Sequence, residues 1–145
     1  MKIRILKRLL VVSLIVFPLS MRAEVGEKLT GYFIEQAENT FLHIYTNGVW
    51  IELAMLDENY HSIENVFTRG VLTVNQKGKS AERMVVRPMG DGMILRGSKT
   101  IRKPHLFKIN GRLFKGDDDS EGQALNLQYN QHTLEEVTVK PLPEK

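Results

Sequence analysis

Apolar and polar side chains alternate most cleanly from Phe41 to Asp57. Leu42, Ile44, Val49, Ile51, Leu53 and Met55 fall on one side of a period-two pattern, and His43, Tyr45, Trp50 and Glu52 fall on the other. Asn47-Gly48 interrupts the alternation, and this pair suits a type I′ hairpin turn because both residues tolerate positive φ. Closing the turn there sets Tyr45 opposite Trp50, Ile44 opposite Ile51 and His43 opposite Glu52. The pattern therefore predicts a core face and a half-wet face. His43, Tyr45, Trp50 and Glu52 on the wet face form a candidate surface site, and a carboxylate opposite His43 favours its charged form.

Beyond residue 24 no long segment spaces its apolar residues helically. Short alternating or β-branched runs bounded by Gly, Asn, Asp or Pro predict strands near 29–37, 41–46, 49–57, 70–76, 82–87, 92–97, 105–115 and 123–130. Residues 57–65 are polar and turn-rich, and Pro88-Met89-Gly90-Asp91-Gly92 reads as a tight turn. A second Asn-Gly, at Asn110-Gly111, is read differently. A turn there would oppose Ile109 to Arg112 and Lys108 to Leu113, whereas one straight strand keeps Phe107, Ile109 and Leu113 on one face, with Gly111 as a candidate bulge. A side chain added at Gly48 is accordingly expected to cost more than one at Gly111. Residues 131–145 are polar, with Val137-Thr138-Val139 as an edge strand or a loose tail ahead of Pro141 and Pro143.

The first 23 residues have their own character. A basic start (Lys2, Arg4, Lys7, Arg8), an apolar run from Leu9 to Leu19 and Ser20-Met21-Arg22-Ala23 make the layout of a secretory signal peptide. The apolar run falls short of the roughly 20 residues of a membrane span, so cleavage after Ala23 and a periplasmic product with no membrane span are expected. The remaining residues, 24–145, suffice for one domain, drawn as 24–130 plus the tail. With no cysteine in the chain, an exported domain relies on its apolar core, which favours a β-sandwich or barrel.

Removing the first 23 residues changes the charge. They hold five bases (Lys2, Arg4, Lys7, Arg8, Arg22) of the chain's 20, leaving 15 bases against 17 acids, a net of −2. The high pI thus belongs largely to the export signal and does not argue for nucleic acid. Charge is also segregated: residues 24–68 hold eight acids and one base, 69–115 twelve bases and two acids, and 116–145 seven acids and two bases. Opposite charges pairing across neighbouring strands would account for this. The alternative is a basic surface that meets lipopolysaccharide, peptidoglycan phosphates or an acidic protein face.

Candidate chemistry is sparse. Gly78-Lys79-Ser80 resembles the end of a phosphate loop, but Thr73 stands where that loop needs glycine and a strand follows. Asp117-Asp118-Asp119-Ser120-Glu121-Gly122 opens like a calcium loop, yet its twelfth position is Gln128. No serine occupies a G-x-S-x-G elbow. Met84, Met89 and Met93 flank one turn and are the candidate ligands for Cu(I), which thioethers suit; the same residues also serve as core filler.

From Gly31 to Tyr129 the chain resembles small exported bacterial Ig-like, transthyretin-like β-sandwich domains that accompany cation-efflux systems. The likeness lies in Gly31-Tyr32-Phe33-Ile34-Glu35, Leu53-Ala54-Met55-Leu56-Asp57, Pro88…Gly92…Leu95-Arg96-Gly97, Pro104 with the strand through Phe107, and Leu125-Asn126-Leu127-Gln128-Tyr129. The resemblance implies an antiparallel Ig-like β-sandwich of seven or eight strands. The order His43, Trp50, Met55 is also similar to small periplasmic copper chaperones, although alternation puts Met55 on the face opposite the other two. The expectation is a non-enzymatic periplasmic module that binds an envelope protein or an anionic envelope component. A metal-handling accessory domain is the alternative.

Overall fold

The computed structural model describes residues 26–116 and 121–142; the expected export signal and residues 117–120 of the acidic turn lie outside them. The chain forms strands β1 (Lys28–Glu35), β2 (Phe41–Asn47), β3 (Trp50–Leu56), β4 (Ser62–Ile63), β5 (Arg69–Gln76), β6 (Glu82–Met89), β7 (Ile94–Gly97), β8 (Leu106–Phe114), β9 (Gln123–Asn130) and β10 (Glu135–Thr138). The only helical element among the described residues is a 3₁₀ turn at Ala37–Asn39. The strands run antiparallel in one hydrogen-bonded path, β10-β1-β2-β3-β7-β6-β5-β8-β9, with β4 added to β3, and the sheet curls into a half-barrel.

The all-β expectation holds. Among the described residues, ten strands in one sheet, nine of them in a single path with β4 added at its side, stand where seven or eight strands in two facing sheets were expected. The link that joins the halves is β7, which pairs with β3 on one side (Leu53 opposite Leu95) and β6 on the other (Val86 opposite Gly97). The two further strands are short. β4 lies within the polar stretch read as a loop, where Asp57 Oδ1 accepts from the N–H groups of Asn59 and His61 at 2.8 and 3.0 Å. β10 pairs residues 135–138 with the first half of β1.

Period-two alternation builds the core. Leu42, Ile44, Ile51, Leu53, Met55, Leu72, Val74, Met84, Val86, Leu95, Phe107, Ile109, Leu113, Leu125 and Tyr129 all point inward and are buried in one cluster. Tyr129 stacks on Phe107 with ring centroids 4.7 Å apart and lies 5.3 Å from the Tyr32 ring. Tyr32 Oη also donates to the Gln128 carbonyl. These contacts draw β1, near one end of the path, toward β9 at the other.

The central hairpin is where the register departs from expectation. The observed pairs are Asn47 with Trp50, Thr46 with Ile51, Tyr45 with Glu52, Ile44 with Leu53 and His43 with Ala54. The two turn residues are therefore Gly48 and Val49, with Gly48 at φ 61 and Asn47 and Val49 both outside the positive-φ region. A glycine alone at the first central position is the type II′ pattern. Each strand residue keeps its predicted face, because pairing moves by two positions. Val49 leaves the core set and is 42% exposed in the turn.

β8 runs straight through the second Asn-Gly, paired without a bulge to β5 (Leu72 opposite Gly111) and to β9 (Leu125 opposite Gly111). Gly111 faces inward, where a Cβ would run into the Val71 carbonyl oxygen and lie 2.8 Å from Leu72 Cδ2. At Gly48 an added Cβ meets nothing within 4 Å. The expected order of costs is thus reversed. Gly48→Ala should lose about 1 kcal/mol to the left-handed backbone, and Gly111→Ala about 3 kcal/mol to a clash with backbone that cannot yield. Urea unfolding of the two variants checks this, and equal losses would contradict the straight β8.

Candidate functional site

On the outer face of β2, β3 and β7 the four residues predicted as a surface site are brought together, but in a different arrangement. Glu52 is only 1% exposed. The register sets it opposite Tyr45 on β2 and Arg96 on β7. Its Oε1 accepts from Asn47 Nδ2 and from an Arg96 guanidinium N–H, both at 3.0 Å, and its Oε2 accepts from Tyr45 Oη at 3.3 Å. The Arg96 guanidinium lies 5.3 Å from the centre of the Trp50 ring, a cation–π distance. Burial first, then the Glu52 charge and hydrogen bond, pushes the Tyr45 hydroxyl far above its ordinary range.

His43 does not face Glu52. It stacks between Phe33 (centroids 4.5 Å apart) and Tyr45 (4.6 Å apart), and its Nε2 donates to the Thr30 carbonyl at 3.0 Å. Burial lowers its pKa, with the Thr30 bond opposing, so the expectation of a favoured charged form is corrected. β1 passes this close because residue 31 is glycine: a Cβ there would lie 2.7 Å from His43 Nε2, and its φ is +154°. A hollow of about 250 Å³ remains between Lys28, Thr30, His43, Tyr45, Ala54 and Ile94. With the Glu52 carboxylate accepting three hydrogen bonds and the His43 N–H given to Thr30, this cluster fastens β1, β2, β3 and β7 together.

The three methionines are not gathered into one place. Met84 is buried in the core at 2% exposure. Met89 comes five positions later at the end of β6, about 17 Å away at the rise of an extended strand. Met93 sits in the β6–β7 turn, where its N–H donates to Asp91 Oδ1 at 3.0 Å. Met55 is also in the core, on the face opposite His43 and Trp50. Among the described residues no three His, Asp or Glu side chains are grouped as a metal would require.

The charge segregation becomes a surface. Arg83 and Arg87 of β6, Arg69 of β5, and Lys108 and Arg112 of β8 are exposed on the outer face. Their register partners are not acids: Arg83 is opposite Thr73, Arg87 opposite Arg96, Lys108 opposite Asn75 and Gln128, and Arg112 opposite Val71 and Ala124. Among the described residues, the cross-strand positions beside Arg83, Arg87, Lys108 and Arg112 therefore hold no acid to neutralise them, and Arg112 instead donates to the Glu121 carbonyl at 2.8 Å. A shallow groove of about 440 Å³ runs over Val71, Thr73, Arg83, Asn110, Arg112 and Phe114. The Arg69 guanidinium lies 4.7 Å from the centre of the Phe114 ring. Of the two acids in residues 69–115, Glu82 contacts Lys99 at 3.6 Å and Asp91 caps the Met93 N–H.

At one end of this face lies a second hollow, of about 330 Å³, bounded by Gln76, Lys77, Lys79, Arg102, Lys103, Pro104 and Leu106. The sequence reading did not single it out, because its cations come from two separate segments and neither is a motif. The nearby His105 is buried, and its pKa is lowered by that burial and then by the charge of Lys103.

The class of protein that fold and surface define is an all-β, half-barrel protein with one basic outer face. Comparison with known proteins finds no family model, no curated protein and no solved structure that matches this chain significantly.

A pH dependence follows from the two buried histidines. Both have folded-state pKa values below the ordinary 6.5, so below that pH the unfolded chain binds more protons than the folded one. Their contribution to stability is complete above about pH 6.5 and is lost as the pH falls toward the folded values. Urea midpoints should drop between neutral pH and pH 5, and His43→Gln with His105→Gln should flatten that drop. An unchanged slope in the double variant would mean that other groups govern it.

Proposed function

We propose that this chain is an exported, non-enzymatic module of the bacterial envelope that binds an anionic envelope component through the basic outer face of β5, β6 and β8. The observation that carries the reading is the register: Arg83, Arg87, Lys108 and Arg112 lie on one sheet face with no carboxylate at any cross-strand position beside them. Cations gathered on one face with no acid between them sum to a positive potential over it, which favours an anionic partner there. Export is supported by the basic start, the apolar run from Leu9 to Leu19 and the Ala23 cleavage position. The Ig-like sandwich expectation enters here in a looser form. The halves of the curled sheet share one core, which supports reading the fold as sandwich-like layering bridged by β7.

Export is tested by the intact mass of the protein recovered from a periplasmic extract, which should begin at Glu24. Binding is tested by cosedimentation of residues 24–145 with zwitterionic vesicles, with and without lipopolysaccharide. Binding should require lipopolysaccharide and weaken as salt screens the face. Arg83→Glu with Arg87→Glu and Lys108→Glu should reduce it about tenfold or more, since each cation near an anionic surface contributes on the order of 1 kcal/mol. Binding that ignores both salt and the triple variant would overturn the reading.

A further inference from the structure

We infer that the hollow ringed by Lys77, Lys79, Arg102 and Lys103 is a site for a phosphomonoester carried on a sugar or lipid body. The inference rests on the basic face being the binding surface and names where on it, and by what chemistry, an anion is selected.

Four cations border the hollow and no carboxylate does; its other walls are Gln76, Pro104 and Leu106. Two of the cations stand on the turn between β5 and β6 and two on the loop between β7 and β8, so their meeting is a product of the fold. The segments are fixed against one another. Gln76 Nε2 donates to the Arg102 carbonyl at 2.9 Å, which ties loop to strand. The Lys79 N–H closes the turn on the Gln76 carbonyl at 3.1 Å, and the Leu106 N–H bonds the Pro104 carbonyl at 2.9 Å. Gln131 Oε1 accepts the His105 N–H at 2.7 Å and anchors the end of the loop to the segment after β9. With the backbone held in this way, a ligand orders only the ends of four side chains, which lowers the entropic cost of binding.

The chemistry of the walls narrows the ligand. A guanidinium can take two oxygens of a phosphate side by side, while lysine ammonium groups add point charges around it. Several cations around one anion favour the dianionic monoester over the singly charged diester, because Coulomb attraction grows with the ligand's charge. The volume of about 330 Å³ exceeds what a bare phosphate fills, and it falls at the lower end of small-ligand pockets, roughly 300–1,000 Å³. Pro104 and Leu106 supply an apolar wall for the body that bears the phosphate, and Leu106 is 36% exposed. Lys108, two positions along β8 from Leu106, continues the cationic track onto the open face.

The test uses residues 24–145 and vesicles of phosphatidylcholine alone, with phosphatidylglycerol (a diester) or with phosphatidic acid (a monoester). Two variants separate the claims: Lys77→Ala, Lys79→Ala, Arg102→Ala and Lys103→Ala together at the hollow, and Arg83→Ala, Arg87→Ala and Lys108→Ala together on the face. All seven side chains are exposed, so both variants should fold, and an unchanged urea midpoint verifies it. The intact protein should prefer phosphatidic acid over phosphatidylglycerol, and the hollow variant should lose about tenfold or more on phosphatidic acid together with that preference. The face variant should weaken on both lipids alike. If the hollow variant keeps its preference while the face variant loses binding, the site is wrong and the basic-face reading stands. If the intact protein binds neither lipid and does not bind glucose 1-phosphate in a calorimetric titration, the site fails, and loss of lipopolysaccharide binding as well would remove the reading beneath it. Competition by glucose 1-phosphate against phosphatidic acid vesicles would assign the site to soluble sugar phosphates, and lack of competition to lipid headgroups. An acidic protein that competes where both phosphates fail would overturn the phosphomonoester assignment.

Discussion

The β3–β7 ladder is the contact on which the rest of the fold depends. β7 is short, yet it is the strand through which β10-β1-β2-β3 and β6-β5-β8-β9 become one sheet. Its two faces are bound by different forces. Inward, Leu53 opposite Leu95 joins the apolar core with both side chains fully buried. Outward, Arg96 meets Glu52 at 3.0 Å while lying against Trp50. A buried carboxylate is costly unless it is paired and hydrogen-bonded. Glu52 meets that requirement only when β2 and β7 are both in register, because its partners Tyr45, Asn47 and Arg96 come from both. The pair therefore adds little net stability by itself and disfavours other registers, in which Glu52 would be buried without partners. On such a reading the outer cluster selects the alignment of the two halves.

That alignment also decides what the molecule presents to its surroundings. With β7 beside β6, Arg96 and Arg87 are neighbours. Glu52 answers only the first of them. β5 then lies between β6 and β8, so the bases of three strands fall on one outer surface, and the acids of residues 24–68 are left mostly on the other half of the sheet. A different strand order with the same sequence could have interleaved acidic and basic strands. The basic face is thus a property of topology more than of composition.

This explains which features could be read from the chain and which could not. Period two placed Leu42, Ile44, Ile51, Leu53 and Met55 inward and Tyr45, Trp50 and Glu52 outward, because alternation is a local rule that survives an error in register. Pairing does not survive one. Moving the turn from Asn47-Gly48 to Gly48-Val49 exchanged His43 for Tyr45 as the partner of Glu52 and reversed the expected electrostatics of the histidine. Gly111 was rightly placed within a strand, since the charges around it forbade a hairpin. Its inward crowding was invisible, because the Val71 carbonyl comes from β5. β10 was open between strand and tail, as its partner lies more than a hundred residues away. The hollow at Lys77, Lys79, Arg102 and Lys103 escaped for the same reason: neither segment carries a signature, and only the strand order brings them to one place.

Net charge is a poor guide to such a molecule. Residues 24–145 carry 15 bases and 17 acids, so from a distance this part of the chain would look weakly acidic and would be mildly repelled by an anionic surface. Within about a Debye length, near 8 Å at physiological ionic strength, the near face decides instead. There the field comes from Arg83, Arg87, Lys108, Arg112 and the four cations of the hollow, and the acids of the far half are screened. A charge distribution of this kind turns the molecule as it approaches, presenting β5, β6 and β8 first. Orientation, more than overall attraction, is then what the segregated charge contributes. Against the proposed anionic partner, that orientation would bring the hollow to the surface, which an evenly mixed chain of the same composition would not do.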